Sequence, residues 1–228
     1  MKILFIWISF TSIAFSFPGS FSGMYFEDGV TITGKYITQK EDENRDNGIG
    51  LGVSYLIPQK PNNDLDRPTL LSNGTIELNS LYTHVDSNDE GLHMDLLSAG
   101  INCYMKNNIK FGFQYETLIN FGGDLLDQAN DDGMDLDVNS TSNILSIGYY
   151  DHQSLPVLVF LDYLSVTYDF STTISVNGSS LISMEDTGGT NLIRFGVGYK
   201  KNDVIIQPTI TLNEDSEKRL AINLVYKL

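Results

Sequence analysis

Apolar and polar residues alternate with a period of two along most of this chain. The stretch from Leu220 to Leu228 shows it most cleanly. Leu220, Ile222, Leu224, Tyr226 and Leu228 fall on one face, and Ala221, Asn223, Val225 and Lys227 on the other. Successive side chains of a strand point to opposite faces, so this is a strand with one oily side. Ten such stretches can be drawn, near 24–37, 48–57, 74–85, 92–106, 109–121, 142–151, 155–170, 190–200, 203–212 and 220–228. In the fifth, Ile109, Phe111, Phe113, Tyr115, Thr117, Ile119 and Phe121 oppose Lys110, Gly112, Gln114, Glu116 and Asn120. The seventh is almost wholly apolar, and a bulge near Tyr163 is expected to reconcile Val157, Val159 and Leu161 with Val166 and Tyr168. Helical periodicity is scarce, with a turn over Leu92 to Ala99 as a minor alternative to a strand there.

The connections alternate in character. Glu41 to Asn47, Asp86 to Glu90, Gly122 to Thr141, Ser171 to Gly189 and Asn213 to Glu217 are long or strongly acidic. Lys106 to Asn108, Asp151 to Pro156 and Lys200 to Asp203 are short, while Pro58 to Pro68 is longer. Antiparallel neighbours place alternate connections at opposite ends, so one rim carries short turns and the other carries longer acidic loops. Tyr55, Phe111, Tyr149, Tyr199 and Tyr226 map to the short-turn ends of their strands. Tyr36, Tyr82, Phe121 and Tyr168 map to the other ends, which predicts two aromatic girdles.

Alternation alone does not say which face is inside. The polar face is rich in glycine (Gly50, Gly52, Gly100, Gly112, Gly148, Gly196 and Gly198) and carries isolated charges of both signs: Lys35, Glu77, Glu116, Arg194 and Lys227. A solvated outer face would carry more Lys and Glu, whereas charges of opposite sign in a narrow lumen neutralise one another. The N-terminus reads as a secretion signal, with Lys2, an apolar run from Ile3 to Phe15 and cleavage after Ser16. Residues 17–228 then form one domain of 212 residues, and loss of Lys2 moves the net charge from -15 to -16. That acidity argues against nucleic acid as a partner. The single cysteine, Cys103, lies in an apolar alternation and cannot close an internal disulfide.

With its signal, its terminal strand Leu220 to Leu228 and its alternating faces over 24–228, the chain resembles the small outer-membrane β-barrel proteins of Gram-negative bacteria. The resemblance implies an all-β, antiparallel, up-and-down transmembrane barrel of about ten strands, with eight or twelve as alternatives. Both termini would lie on the short-turn rim. The family typically ends in an aromatic residue; here Leu228 is last and Tyr226 stands two before it on the same face.

Candidate chemistry is sparse. A mostly plugged lumen is expected, lined by Lys35, Glu77, Gln114, Glu116 and Arg194. His84 and His93 flank the acidic turn Asp86 to Glu90, and a His with a carboxylate can act as a general base, but no nucleophile spacing supports a triad. His152 falls at the opposite rim. Asp127, Asp131, Asp132, Asp135 and Asp137 put five carboxylates within eleven positions, a weak calcium candidate. Gln128 and Asn139 stand where a calcium loop needs its first and last acids, so a solvated acidic loop is the plainer reading. No cofactor is otherwise implied. The expectation is a monomeric, non-enzymatic, porin-like barrel with a structural, surface-interaction or narrow passive-transport role. Its partners would be outer-membrane lipid, lipopolysaccharide and the barrel-insertion machinery. The alternatives are an enzyme acting on lipid A or surface peptides through His84 or His93, and a secreted soluble barrel that binds a small apolar ligand.

Overall fold

A computed structural model describes residues 22–41, 44–58, 74–87, 91–105, 107–131, 133–151, 157–214 and 218–228. The signal at 1–16, Asp132, His152 and most of Pro58 to Pro68 lie outside the described residues. Ten antiparallel strands follow in chain order: β1 (Gly29–Glu41), β2 (Asn44–Pro58), β3 (Thr75–Ser87), β4 (Leu92–Tyr104), β5 (Ile109–Gly123), β6 (Met134–Asp151), β7 (Val157–Val176), β8 (Ser179–Lys201), β9 (Val204–Leu212) and β10 (Lys218–Lys227). Each pairs with its chain neighbours, and β10 closes on β1, with Thr31 opposite Lys227 and Gln39 opposite Arg219. Closure removes the free edges of an open sheet.

The alternation has the polarity of a membrane wall. Leu220, Ile222, Leu224 and Tyr226 are exposed, while Ala221, Asn223 and Val225 are buried, and the same inversion holds on Ile109–Tyr115 and Ile193–Tyr199. A water-soluble barrel would bury its oily side, and an apolar belt around the whole molecule calls for lipid as its solvent. The first described residues, Ser22 to Asp28, and the last, Lys227 and Leu228, lie at one rim, called here the terminal rim. Leu92 to Ala99 is strand and not helix.

Four expectations need correction. First, there is no bulge near Tyr163. Pairing of β6 with β7 runs unbroken from Asp151 opposite Val159 to Met134 opposite Val176. Leu158, Phe160, Asp162, Leu164 and Val166 simply turn inward, an apolar interior that made the two faces look alike. Second, Phe121 and Tyr168 do not join a far-rim girdle. An extra residue, Ile119, interrupts the pairing of β4 with β5 between Asp95 and Leu96, and Phe121 packs inward on Val85, Met94, Leu96 and Phe170. Tyr168 packs on an inner cluster of Ile144, Leu164, Val166 and Leu192. Third, the acidic stretch 122–141 is no loop; it holds a helix, α1 (Asp124–Asp131), and the start of β6. Fourth, 171–189 is a hairpin. Val176 and Ser179 pair across Asn177-Gly178, whose φ angles of 51° and 77° make the turn that suits twisted strands.

These long strands give the far rim its shape. β5 pairs with β6 only as far as Thr117 opposite Thr141, and β9 meets β8 only from Leu212 opposite Ile193. Beyond those points β6, β7 and β8 continue alone as a three-stranded ribbon that ends at Asn177-Gly178.

Candidate functional site

The lumen is filled in layers. Its middle is a belt of buried charge in which Lys35, Lys110 and Arg194 balance Glu77, Glu116 and Asp162, none more than 6% exposed. Gln114, Gln207 and Asn223 are buried with them. The register explains the closest contacts. Lys110 on β5 stands opposite Gly148 on β6, Gly148 opposite Asp162 on β7, and Asp162 opposite Arg194 on β8. Glycine leaves the gap in this row: a Cβ at Gly148 would fall against the Asp162 carboxylate. Lys110 Nζ therefore reaches across to Asp162 at 3.0 Å, and Arg194 Nη2 donates to Asp162 Oδ2 at 2.5 Å. Nearby, Glu77 accepts from Asn102 Nδ2 at 3.1 Å and from the Tyr104 hydroxyl at 2.6 Å. Lys35 lies within electrostatic reach of Glu116 and Arg194. Such a belt pairs charges that the barrel wall has already removed from water.

The terminal rim is closed by the segment before β1. A 3-10 turn, Ser22–Met24, leads Tyr25 and Phe26 into the barrel, where Met24, Tyr25 and Phe26 pack with Leu56, Tyr104, Tyr150, Leu158, Phe160, Ile205 and Val225. Gly198 makes room for the Tyr25 ring, since a Cβ there would meet the phenol. The Tyr25 hydroxyl accepts from Gln207 Nε2 at 3.2 Å, and its carbonyl accepts from Lys200 Nζ at 2.8 Å. Burial pushes the Tyr25 phenol well above its ordinary pKa. Lys200 and Lys227 sit 4.2 and 5.3 Å from the centre of the Phe26 ring, and Lys227 Nζ pairs with Asp28 at 2.8 Å.

The five expected lumen residues, Lys35, Glu77, Gln114, Glu116 and Arg194, all lie in this interior. The belt and the closure also hold three residues outside that expected set, Lys110, Asp162 and Tyr25. Lys110 lies on the polar face of the fifth stretch, and the seventh stretch holds two acids, Asp162 among apolar residues and Asp169 near its end, of which Asp162 turns inward.

The histidines sit elsewhere. His84 and His93 project from the outer wall near the far rim, with ring centres 5.8 Å apart. His84 Nδ1 lies 2.7 Å from Asp95, and Nε2 lies 3.2 Å from Asp86. Asp95 also accepts from the Tyr82 hydroxyl at 2.6 Å and from Asn120 Nδ2 at 2.9 Å. Both His84 nitrogens thus meet carboxylates, which fix the orientation of the imidazole. Asp127 and Asp131 lie on α1 and Asp135 and Asp137 on β6, all exposed. Among the described residues no three His, Cys, Asp or Glu side chains are placed together to hold a metal ion.

A comparison with protein families gave no match, and a comparison with curated proteins gave none. Solved barrels are similar at low identity. One is Ail, the attachment invasion locus protein of Yersinia pestis, with 10% identity over 88% of this chain and 99% of that one and a TM-score of 0.39. Another is the Neisserial surface protein A, with 13% identity over 87% of this chain and 96% of that one and a TM-score of 0.38. A third is an outer membrane channel from Pseudomonas putida F1, with 10% identity over 93% of this chain and 100% of that one and a TM-score of 0.47. Likeness at these values carries no argument about activity. The closed ten-strand sheet, its oily outer wall and its charged interior carry the assignment: the chain is an integral β-barrel of the outer-membrane type.

Proposed function

We propose that this protein is a non-enzymatic outer-membrane barrel that works at the cell surface, with its far rim outside the cell and its terminal rim in the periplasm. The observation that carries this reading is the filled lumen. A charged belt with Asp162 held between Lys110 and Arg194 lies between the apolar cluster at the terminal rim and the inner clusters toward the far rim. A barrel packed in this way is a scaffold for what it displays, and the β6–β8 ribbon is what it displays furthest. Its oily wall would be solvated by outer-membrane lipid and lipopolysaccharide, and its insertion would use the barrel-assembly machinery. Divalent cations would serve only as loose bridges between the acidic far rim and lipid phosphates.

Planar-bilayer recording of the purified protein tests this reading, and the expected trace is silent. Steady single-channel conductance would replace it with the passive-transport reading. One observation favours that second reading. Tyr25 and Phe26 are held by side-chain contacts to Lys200, Gln207 and Lys227 and not by strand pairing, so this closure is separable from the barrel wall.

A further inference from the structure

We infer that the open edge of β8, from Ser179 to Thr190, is a docking edge for an extended, basic segment of another polypeptide, which joins the ribbon as a fourth strand. The inference rests on the surface reading above and names its partner. β8 pairs with β7 along its length down to Ser179, but among the described residues it pairs with β9 only from Ile193 onward. Asn191 is already held by Glu214 at 2.7 Å, which marks the base of the open stretch. Alternate N–H and C=O groups of the remaining residues face outward, and an extended chain can pair with them.

Edges that must stay unpaired are commonly guarded by Lys, Pro or a bulge. Residues 179–190 contain no Lys, Arg or Pro. The irregularity between Ile174 and Ser175 falls near the tip and leaves regular pairing from Ile182 onward. Leu181 and Ile182 are 65% and 46% exposed, so the edge also offers apolar surface to a partner.

Charge selects the partner. Asp135, Asp137, Asp169, Glu185 and Asp186 lie on the ribbon strands, and no Lys or Arg occurs in 134–140, 167–176 or 179–190. The neighbouring α1 adds exposed Asp124, Asp127 and Asp131. A second copy of this chain would bring the same acids against them, and like charges at an interface oppose pairing. A basic strand would be drawn to the edge and held by backbone hydrogen bonds.

The test uses the full chain in detergent micelles and two labelled ten-residue peptides of equal charge, one alternating Lys with Val and one alternating Lys with Pro. Proline has no N–H to donate and does not extend a ladder. The Lys–Val peptide should bind about ten-fold tighter than the Lys–Pro peptide and should slow amide exchange over 182–190. E185K with D186K should abolish that preference, and a Glu–Val peptide should recover it. Equal affinity of the two basic peptides, or no change in exchange on β8, overturns the inference, as does a dimer paired through β8 without peptide. The surface reading is checked separately by labelling Thr187→Cys, in a Cys103→Ser background, with an impermeant maleimide on intact cells. Absence of label there removes the surface reading; label without strand addition removes only the docking edge.

Discussion

Lys110 and Asp162 stand two strands apart and meet over Gly148, with Lys110 Nζ 3.0 Å from the carboxylate. Arg194 closes on the same carboxylate from the other side. The Asp162 charge is therefore shared between two cations with no exposure to water. Asp162→Asn takes away that shared anion and should cost about 3–5 kcal/mol, read from urea unfolding in lipid vesicles. A cost below about 1 kcal/mol would show that the belt does not hold the barrel together.

Gly198 tests the closure at the terminal rim. Gly198→Ala places a methyl group where the Tyr25 phenol lies. The expected cost is about 1–3 kcal/mol, with protease cutting near Ser22–Glu27 at an enzyme level that spares the parent protein. The belt above Tyr25 is untouched by this substitution, so the variant should stay silent in a planar bilayer. Conductance in Gly198→Ala alone would show that Tyr25 is the gate.

Asp28 sets the pH response of the same segment. Its hydrogen bond and charge pairing with Lys227 hold the Asp28 carboxyl below its ordinary pKa. A depressed carboxyl contributes to docking above its unfolded value and loses that contribution as pH falls through its folded value. Docking should thus be constant from about pH 5 to pH 8 and weaken only below about pH 4. Protease protection of the segment across that range measures it, and a transition near neutral pH would assign the latch to another group.

The oily wall makes the sharpest prediction. Leu224 on β10 faces outward between Gly34 on β1 and Ile206 on β9. Leu224→Arg should destabilise folding into vesicles by about 2–4 kcal/mol, the cost of a cation on a lipid-facing strand. An unchanged midpoint would mean that this face meets water.

The ribbon tip depends on Gly178, whose φ of 77° is costly for a β-branched residue. Gly178→Val should speed amide exchange over 170–182 and leave the barrel's unfolding midpoint unchanged. Loss of the barrel itself would show that the ribbon nucleates folding.

Strand number, strand faces and the inverted polarity were legible in the chain because a side-chain period of two is a local property. Leu220 to Leu228 reveals its two faces without any partner, and the glycines opposite oily residues mark the inside. The dipeptide Asn177-Gly178 is a hairpin signal in its own right, yet the serines and threonines around it hide the alternation of a strand. Other features depended on which strands lie side by side. Asp162 finds Lys110 only because β5, β6 and β7 align those residues in one row with a glycine between them. Phe121 turns inward only because Ile119 is an extra residue against β4. Tyr25 enters the barrel although it belongs to no strand, because Gly198, Gln207 and Lys200, far along the chain, make its pocket. Periodicity determined what each strand shows to either side, and register, which is a relation between strands, decided what fills the interior and which edge stays open.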